Sequence, residues 1–245
     1  MPTGHGRRLG RSYFEGIFEA NDDPWAYSTA YERRKYEQTL ALLPAGSEGA
    51  TVLEVGCAEG HFTQRLAPRV GHVVAVDIAE AALTRARERC RGLENVTFRR
   101  LDVFADPIPG HFEGVVCSEL LYFAESEDAV AEVGRRLAAV LDRGGWLLSA
   151  HAHVVSDAPE LPGFDWGVPF GALRIHRLLG ETTGLVLERE AVCDLYRIAR
   201  FRREPTRKGV AGQPTLERIE RAELHPELRR YARFPAEGDA GRSTG

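Results

Sequence analysis

At 245 residues the chain is long enough to bury a full α/β core, and a formal net charge of −4 gives it no global basic field for holding a polyanion. Hydrophobic residues at 43% and charged residues at 28% fit a soluble enzyme and exclude a low-complexity or fibrous chain. The four cysteines, Cys57, Cys90, Cys117 and Cys193, form no CxxC pair, which argues against a zinc cluster or a disulfide framework. No run approaches the roughly 18 apolar residues of a membrane span, and the opening MPTGHGRRLGRS lacks the apolar core of a signal peptide. The expected setting is the cytoplasm.

In chain order, an irregular polar start leads into STAYERRKYEQTLALL, whose Tyr36, Leu40 and Leu43 recur at roughly helical spacing before Pro44 stops the segment. From about residue 50, β-branched runs alternate with helical patterns: TVLEV, HFTQRLAPR, HVVAVD, AEAALTRARERC and VTFRRLD. EGVVCS follows as a strand. SEDAVAEVGRRLAAVLDRGG is the next helix, with Ser126 as N-cap and Gly144-Gly145 as its end. WLLSA is the fifth strand, then come an irregular PELPGFDWGVP, a helix near FGALRIHRLLGETT, and two runs, LVLEREAV and LYRIARFR, that pair as a hairpin edge.

Such alternation predicts an α/β fold with a doubly wound, mostly parallel seven-stranded sheet, an N-terminal helical cap and an antiparallel C-terminal hairpin edge. The expected division is an arm and cap helix over 1–49, a core over 50–203, and a polar, partly disordered tail over 204–245. The tail carries one amphipathic helical pattern, LERIERAELHPELRRYA, broken or kinked at Pro226.

The most informative stretch is TVLEVGCAEGHF, in which a buried strand runs through Gly56, Cys57 and Gly60 into a helix. Glycines there let the backbone pass close to a ligand at the carboxyl edge of the sheet. A dinucleotide loop needs G-x-G-x-x-G and a phosphate loop G-x-x-x-x-G-K-[ST]; here the spacing is G-x-x-x-G, with Glu59 where a phosphate would be repelled. Glu54 two residues before the first glycine and Asp77 closing the second strand suit a ligand with a cationic amine and a ribose diol, as in S-adenosylmethionine. Asp77 can accept from both ribose hydroxyls, and Asp102 after the third strand can accept from the adenine amino group.

Together LEVGCAEG, VVAVDI, RRLDVF, EGVVCSELLYF and RGGWLLSAH resemble the class I S-adenosylmethionine-dependent methyltransferases over roughly residues 50–203. More narrowly, DDPWAYSTAYERRKYEQTLALLP running into LEVGC resembles the NodS-like branch, whose nodulation members N-methylate a chito-oligosaccharide amine. The resemblance implies a Rossmann-like sheet, S-adenosylmethionine as cofactor and S-adenosylhomocysteine as product. It implies a cofactor site built from Trp25, Glu54, Gly56, Cys57, Gly60, Asp77, Ile78, Asp102, Val103 and Glu119, with Trp25 closing over the methionine end. Ala58 departs from the pattern, since many methyltransferases carry a further glycine there. Leu121-Tyr122-Phe123 keeps one tyrosine where the branch is tyrosine-rich.

Methyl transfer from a sulfonium is an in-line displacement, so much of its acceleration comes from positioning. An amine acceptor must present a neutral lone pair, whereas a hydroxyl acceptor depends more on a general base. Residues just after the fourth and fifth strands face the acceptor in such a sheet. Glu119 and His151 are therefore the candidate catalytic groups, and Tyr122, His153 and His176 the candidate substrate contacts. His151 and His153 lie two apart with Asp157 and Asp165 as the nearest acids in sequence, too sparse a set for a cation, and no metal is expected. Arg33, Arg34 and Lys35 read mostly as charges on a solvated helix.

The expected activity is methylation of a small-molecule amine, in an amino sugar or natural product. The alternatives are O-methylation of a hydroxyl or carboxylate with His151 as base and, more remotely, a nucleic-acid-modifying enzyme or a non-catalytic cofactor-binding protein. A small molecule is the expected partner, with no nucleic acid and no membrane; a homodimer is compatible with the sequence.

Overall fold

The computed structural model describes residues 9–182, 184–204 and 213–234. Helix α1 (Arg11–Ala20) and helix α2 (Ala30–Ala41) precede β1 (Thr51–Val55), α3 (Thr63–Leu66), β2 (His72–Asp77), α4 (Glu80–Arg89) and β3 (Val96–Arg100). Then follow β4 (Phe112–Ser118), a 3-10 turn (Leu121–Phe123), α5 (Glu127–Val140), β5 (Leu141–Ala152), β6 (Gly163–Phe164) and α6 (Ala172–Glu181). The chain closes with β7 (Leu185–Val192), β8 (Tyr196–Arg203), β9 (Thr215–Arg218), α7 (Pro226–Arg229) and β10 (Ala232–Arg233).

The main sheet has the order β3-β2-β1-β4-β5-β8-β7-β9. Neighbours from β3 to β5 are parallel, while β8 runs antiparallel to both β5 and β7. The order reverses at β1 and β4, which opens a crevice at their carboxyl ends. Alternation along the strands explains why both faces are covered: Val52, Val73 and Leu148 join one hydrophobic cluster, while Leu53, Val115 and Leu147 join another with Val133 and Leu137 of α5 and Ile175 of α6. Ser126 caps α5 by accepting from the Ala129 amide at 3.2 Å, with Glu127 and Asp128 in the first turn.

The sheet departs from expectation in ways with local causes. An eighth strand, β9, joins β7 in parallel, so Thr215–Arg218 is extended; of the amphipathic pattern in the tail only Pro226–Arg229 turns as a helix. β5 begins at Leu141, earlier than the Gly144-Gly145 helix end required, because Leu141 is buried opposite Phe112 and residues 142–145 bulge before Trp146 pairs with Gly114. At its other end β5 runs on to Ala152, in register with Tyr196 of β8. Ahead of the cap helix, Arg11–Ala20 form α1 where an irregular start was expected. The expected disorder of the last residues falls on 235–245, outside the described residues.

Candidate active site

β1 delivers the chain to Gly56, whose φ of +73° and missing side chain let the backbone border the cleft; a Cβ there would press on Leu120 at 3.2 Å. Gly60 acts otherwise. It lines neither the cleft over the strand ends nor the pocket beside it, and a Cβ on it would meet Cα of Ala86 at 3.1 Å, so it lets the loop pack on α4. Between them Ala58 holds φ +46°, a left-handed conformation that costs a residue with a Cβ about 1 kcal/mol. Its amide donates to Oδ2 of Asp77 at 2.9 Å, and the Ala79 amide donates to Oδ1 at 2.9 Å. Burial pushes the Asp77 carboxyl up to about 6, against those backbone donors.

A cleft of about 1150 Å³, counting its open mouth, lies over these strand ends. Residues following β1, β2 and β3 furnish one wall: Gly56, Asp77, Ile78, Leu101, Asp102 and Val103. Glu119, Leu120, Tyr122 and Phe123 after β4, with Tyr31 and Glu32 from α2, furnish another; Trp166, Val168 and Leu228 border it too. Phe14, Phe18, Trp25 and Tyr27 supply an aromatic roof, with Trp25 5.1 Å from Phe18 between ring centroids. An inner pocket adjoins, bordered by Glu54, Cys57, Ser118 and again Gly56 and Glu119.

Two observations fit this cleft to S-adenosylmethionine. The Asp77 carboxylate keeps accepting capacity for a diol beside the apolar Ile78 and Val103, while Asp102, whose Oδ1 takes the Phe104 amide at 3.0 Å, stands at the next strand end. Glu54 is buried with Oε2 lacking a hydrogen-bond partner among the described residues, and burial pushes its carboxyl up to about 8. A buried carboxyl with an unfilled acceptor atom suits a cation such as an amino-acid ammonium, which favours its ionised form.

On the α2 side the structure assembles a group that the helical charge pattern hid. Lys35 is buried, with Nζ 2.9 Å from Oε1 of Glu32 and 3.1 Å from Oε1 of Glu119. Tyr122 donates its hydroxyl to Oε2 of Glu119 at 2.5 Å. Burial alone would lower the Lys35 pKa, but Glu119 and Glu32 outweigh it and hold the ammonium charged. Burial raises Glu32, partly offset by Lys35. The two carboxylates border the cleft while Lys35 stands behind them. Glu119 itself holds φ +52°, aimed by a strained turn whose amide donates to the Ala150 carbonyl at 2.8 Å. The signal in the sequence was the interleaving of Tyr27, Tyr31 and Tyr36 with Glu32 and Lys35, which reads as a solvated face only if the charges point outward.

The three histidines lie elsewhere. His151 sits within β5, paired with Arg197 and fully buried. Its Nε2 accepts the Leu121 amide at 3.1 Å and lies 3.4 Å from the Leu120 amide, and Nδ1 faces Ser149 Oγ at 3.1 Å. Burial, aided by the Lys35 charge, pushes its pKa down to about 3. With its lone pair engaged and no face on either cavity, His151 does not fit a catalytic base. His153 and His176 are corrected likewise: both are buried, neither borders the cleft, and burial lowers His153 to about 4 and His176 well below its ordinary value. His176 packs on His151 with ring centroids 5.9 Å apart. Among the described residues no three histidines, cysteines or carboxylates converge on a metal position.

The roof is fastened to the core at two places. Glu15 of α1 accepts from the first amides of α4, Glu80 at 2.8 Å and Ala81 at 3.1 Å, a helix N-terminus capped from another segment. Arg85 of α4 donates to the Asn21 and Asp22 carbonyls at 2.7 and 3.1 Å and pairs with Glu59 at 2.6 Å. The loop that bears Trp25 is thereby held over the cleft.

Residues 18–195 match the family model of nodulation protein S, NodS. The chain is 29% identical over 164 residues to nodulation protein S of Sinorhizobium fredii, covering 66% of this chain and 73% of that one. It is 32% identical over 167 residues to nodulation protein S of Rhizobium tropici, covering 66% of each. Among solved structures it resembles the N-methyltransferase NodS of Bradyrhizobium japonicum WM9 in complex with S-adenosylhomocysteine, with 26% identity, a TM-score of 0.68, and coverage of 79% of this chain and 97% of that one. The chain belongs to the NodS family and is an S-adenosylmethionine-dependent methyltransferase.

Proposed function

We propose that the acceptor is an amine of a small molecule, methylated on nitrogen. The observation that carries this reading is the Glu32–Lys35–Glu119 group: two carboxylates share one ammonium, which leaves net negative charge on the cleft side. That charge attracts a cationic amine more strongly than a neutral hydroxyl. The similar Bradyrhizobium structure is of an N-methyltransferase, which supports the same choice. Oxygen methylation with His151 as base loses its support, because Nε2 is occupied by backbone donors.

An amine reaches the cleft protonated and must shed a proton before its lone pair can attack. Glu119 is the candidate acceptor of that proton, held in place by Lys35 and by the Tyr122 hydroxyl. S-adenosylmethionine, when bound, supplies an electrophilic methyl group on a positively charged sulfur. Asp77 and Glu54 would orient its ribose and amino group, and the aromatic roof of Phe18, Trp25 and Tyr27 excludes water from the reacting centre. A cytoplasmic setting belongs to the same proposal, consistent with four cysteines that are all free and buried.

The test pairs acceptors of one skeleton that differ only in bearing an amine or a hydroxyl, incubated with S-adenosylmethionine and read by product mass. A product on the amine alone is expected. A product on the hydroxyl with none on the amine overturns the proposal.

A further inference from the structure

Beyond β8 the chain returns across the acceptor side of the cleft as a strap. β9 adds to the edge of the main sheet, and β10 pairs with β6, with Ala232 opposite Phe164. Gln38 donates to the Glu220 carbonyl at 2.8 Å, Arg221 pairs with Asp194 at 2.9 Å, and the Asp165 amide donates to the Tyr231 carbonyl at 2.8 Å. Between these anchors α7 turns Leu228 inward, where it is buried and borders the cleft with Trp166 and Tyr122. The whole strap lies beyond residues 18–195, the part that matches the family.

The polar groups on this side are few. Glu32 and Glu119 take the amine, and the Tyr122 hydroxyl is committed to Glu119. The Tyr31 hydroxyl and the Trp166 indole Nε1 are both buried and both without a hydrogen-bond partner among the described residues. Trp166 is clamped in orientation, stacked on Phe164 at 4.5 Å and edge-on to Tyr122 at 5.7 Å. An indole N–H can only donate, so the partner it lacks is an acceptor atom. The rest of the wall, with Phe123, Val168 and Leu228, is apolar.

We propose that Leu228 of the strap and Trp166 are specificity determinants, shaping the site for a compact amine with an apolar body and one hydrogen-bond-accepting oxygen. An extended, polyhydroxylated oligosaccharide would leave many hydroxyls unmatched against this wall and would meet the strap. The inference rests on the amine reading above and adds the size and polarity of the acceptor.

The experiment uses the full chain, with S-adenosylhomocysteine binding measured by calorimetry alongside kcat/KM. The acceptors are two compact ring-bearing amines that differ by a single ether oxygen, and a fully deacetylated glucosamine tetramer. Wild type should prefer the oxygen-bearing compact amine over the tetramer by about a hundredfold. Leu228→Ala should narrow that ratio about tenfold and Leu228→Phe should widen it, both with unchanged binding of S-adenosylhomocysteine. Trp166→Phe should cost the oxygen-bearing amine about five- to tenfold while leaving its deoxy analogue within about twofold. Equal use of tetramer and compact amine by wild type overturns the proposal, as does a ratio that neither Leu228 variant moves. Failure of wild type to methylate any amine, with S-adenosylhomocysteine still bound, brings down the amine reading and this inference with it; preference for the tetramer among amines brings down this inference alone.

Discussion

Nε2 of His151 accepts the backbone N–H of Leu121 at 3.1 Å, which ties the fifth strand to the turn that carries Glu119 and Tyr122. Because Nε2 accepts, Nδ1 carries the proton and donates to Ser149 Oγ at 3.1 Å. The imidazole is thus a neutral bracket beneath the site, and the reacting groups stand one layer above it. His151→Asn should lower stability by about 2 kcal/mol through lost buried hydrogen bonds. In the folded fraction it should leave the shape of the pH–rate profile unchanged. Disappearance of an ionisation from that profile would mean that His151 takes part in proton transfer.

Lys35 pairs with two carboxylates at once, so its removal should cost more than its own contacts. Lys35→Met leaves Glu32 and Glu119 facing each other in a buried site, and about 3–5 kcal/mol of stability should be lost in urea titrations. Adding Glu32→Gln removes part of the repulsion and should restore about half of that loss. Additive effects of the two changes would show that the residues are not coupled.

Glu119→Gln keeps the side-chain shape and the Tyr122 contact but cannot take a proton. The expected result is a fall of about 10²–10⁴ in kcat with an amine acceptor, with binding of S-adenosylhomocysteine within about threefold of wild type. An unchanged kcat would remove Glu119 from the chemistry.

How much of this was legible in the sequence follows from where the periodic signals are strong. β1, β2 and β4 are buried along most of their length, and β1 and β2 end at glycine and aspartate, so TVLEV, HVVAVD and EGVVCS are read almost to the residue, and Gly56 and Asp77 come with them. The end of β5 was placed two residues early because nothing in LLSAHAH marks a stop; pairing with β8 carries the strand through His151, and a local reading cannot see β8. Lys35 escaped for a related reason. In α2 the buried residues include Tyr31, Glu32, Lys35, Tyr36 and Gln38, so charges pair inside the protein and the helix shows no apolar stripe. β9 was hidden in a helical pattern because edge pairing with β7, a tertiary contact, overrides local propensity.

Ala58 offers a measure of the strain at the loop. Its φ of +46° favours glycine, and a glycine there restores the spacing common in methyltransferases. Ala58→Gly should therefore raise stability by up to about 1 kcal/mol, reduced by the greater chain entropy of the unfolded state. Thermal melts with and without S-adenosylhomocysteine measure this. A loss of more than about 1 kcal/mol would show that the alanine methyl contributes packing that outweighs the strain.

The buried histidines make an acid-side prediction. His151 and His153 have folded pKa values near 3 and 4, below the ordinary 6.5, and His176 lies well below it too. A depressed folded value means stability that is present above the unfolded pKa and is lost as pH falls from about 6.5 toward the folded value. Buried carboxylates such as Glu54 titrate in the opposite sense, so the informative quantity is a difference between variants. Between pH 6.5 and 5, His153→Gln should gain on wild type by up to about 1.4 kcal/mol per pH unit. A stability difference that does not change with pH would mean that His153 titrates alike in the folded and unfolded states.

Glu54 makes the converse prediction at the cofactor end. Its folded pKa near 8 exceeds the ordinary 4.5, so in the ligand-free protein its contribution to stability is present below about 4.5 and is lost as pH rises through about 8. At neutral pH the carboxyl is therefore mostly protonated, with Oε2 unpartnered in the inner pocket. An ammonium placed beside it reverses the preference, because an opposite charge at close range favours the ionised form. Binding of S-adenosylhomocysteine at pH 7 should then release up to about one proton, and affinity should rise between pH 6 and 8. Calorimetry in buffers of unlike ionisation enthalpy reads the proton directly. Glu54→Gln should abolish the release and weaken binding by about tenfold or more, the loss of one charge-assisted contact. Proton uptake on binding, or a release that survives Glu54→Gln, would assign the ammonium to a different partner.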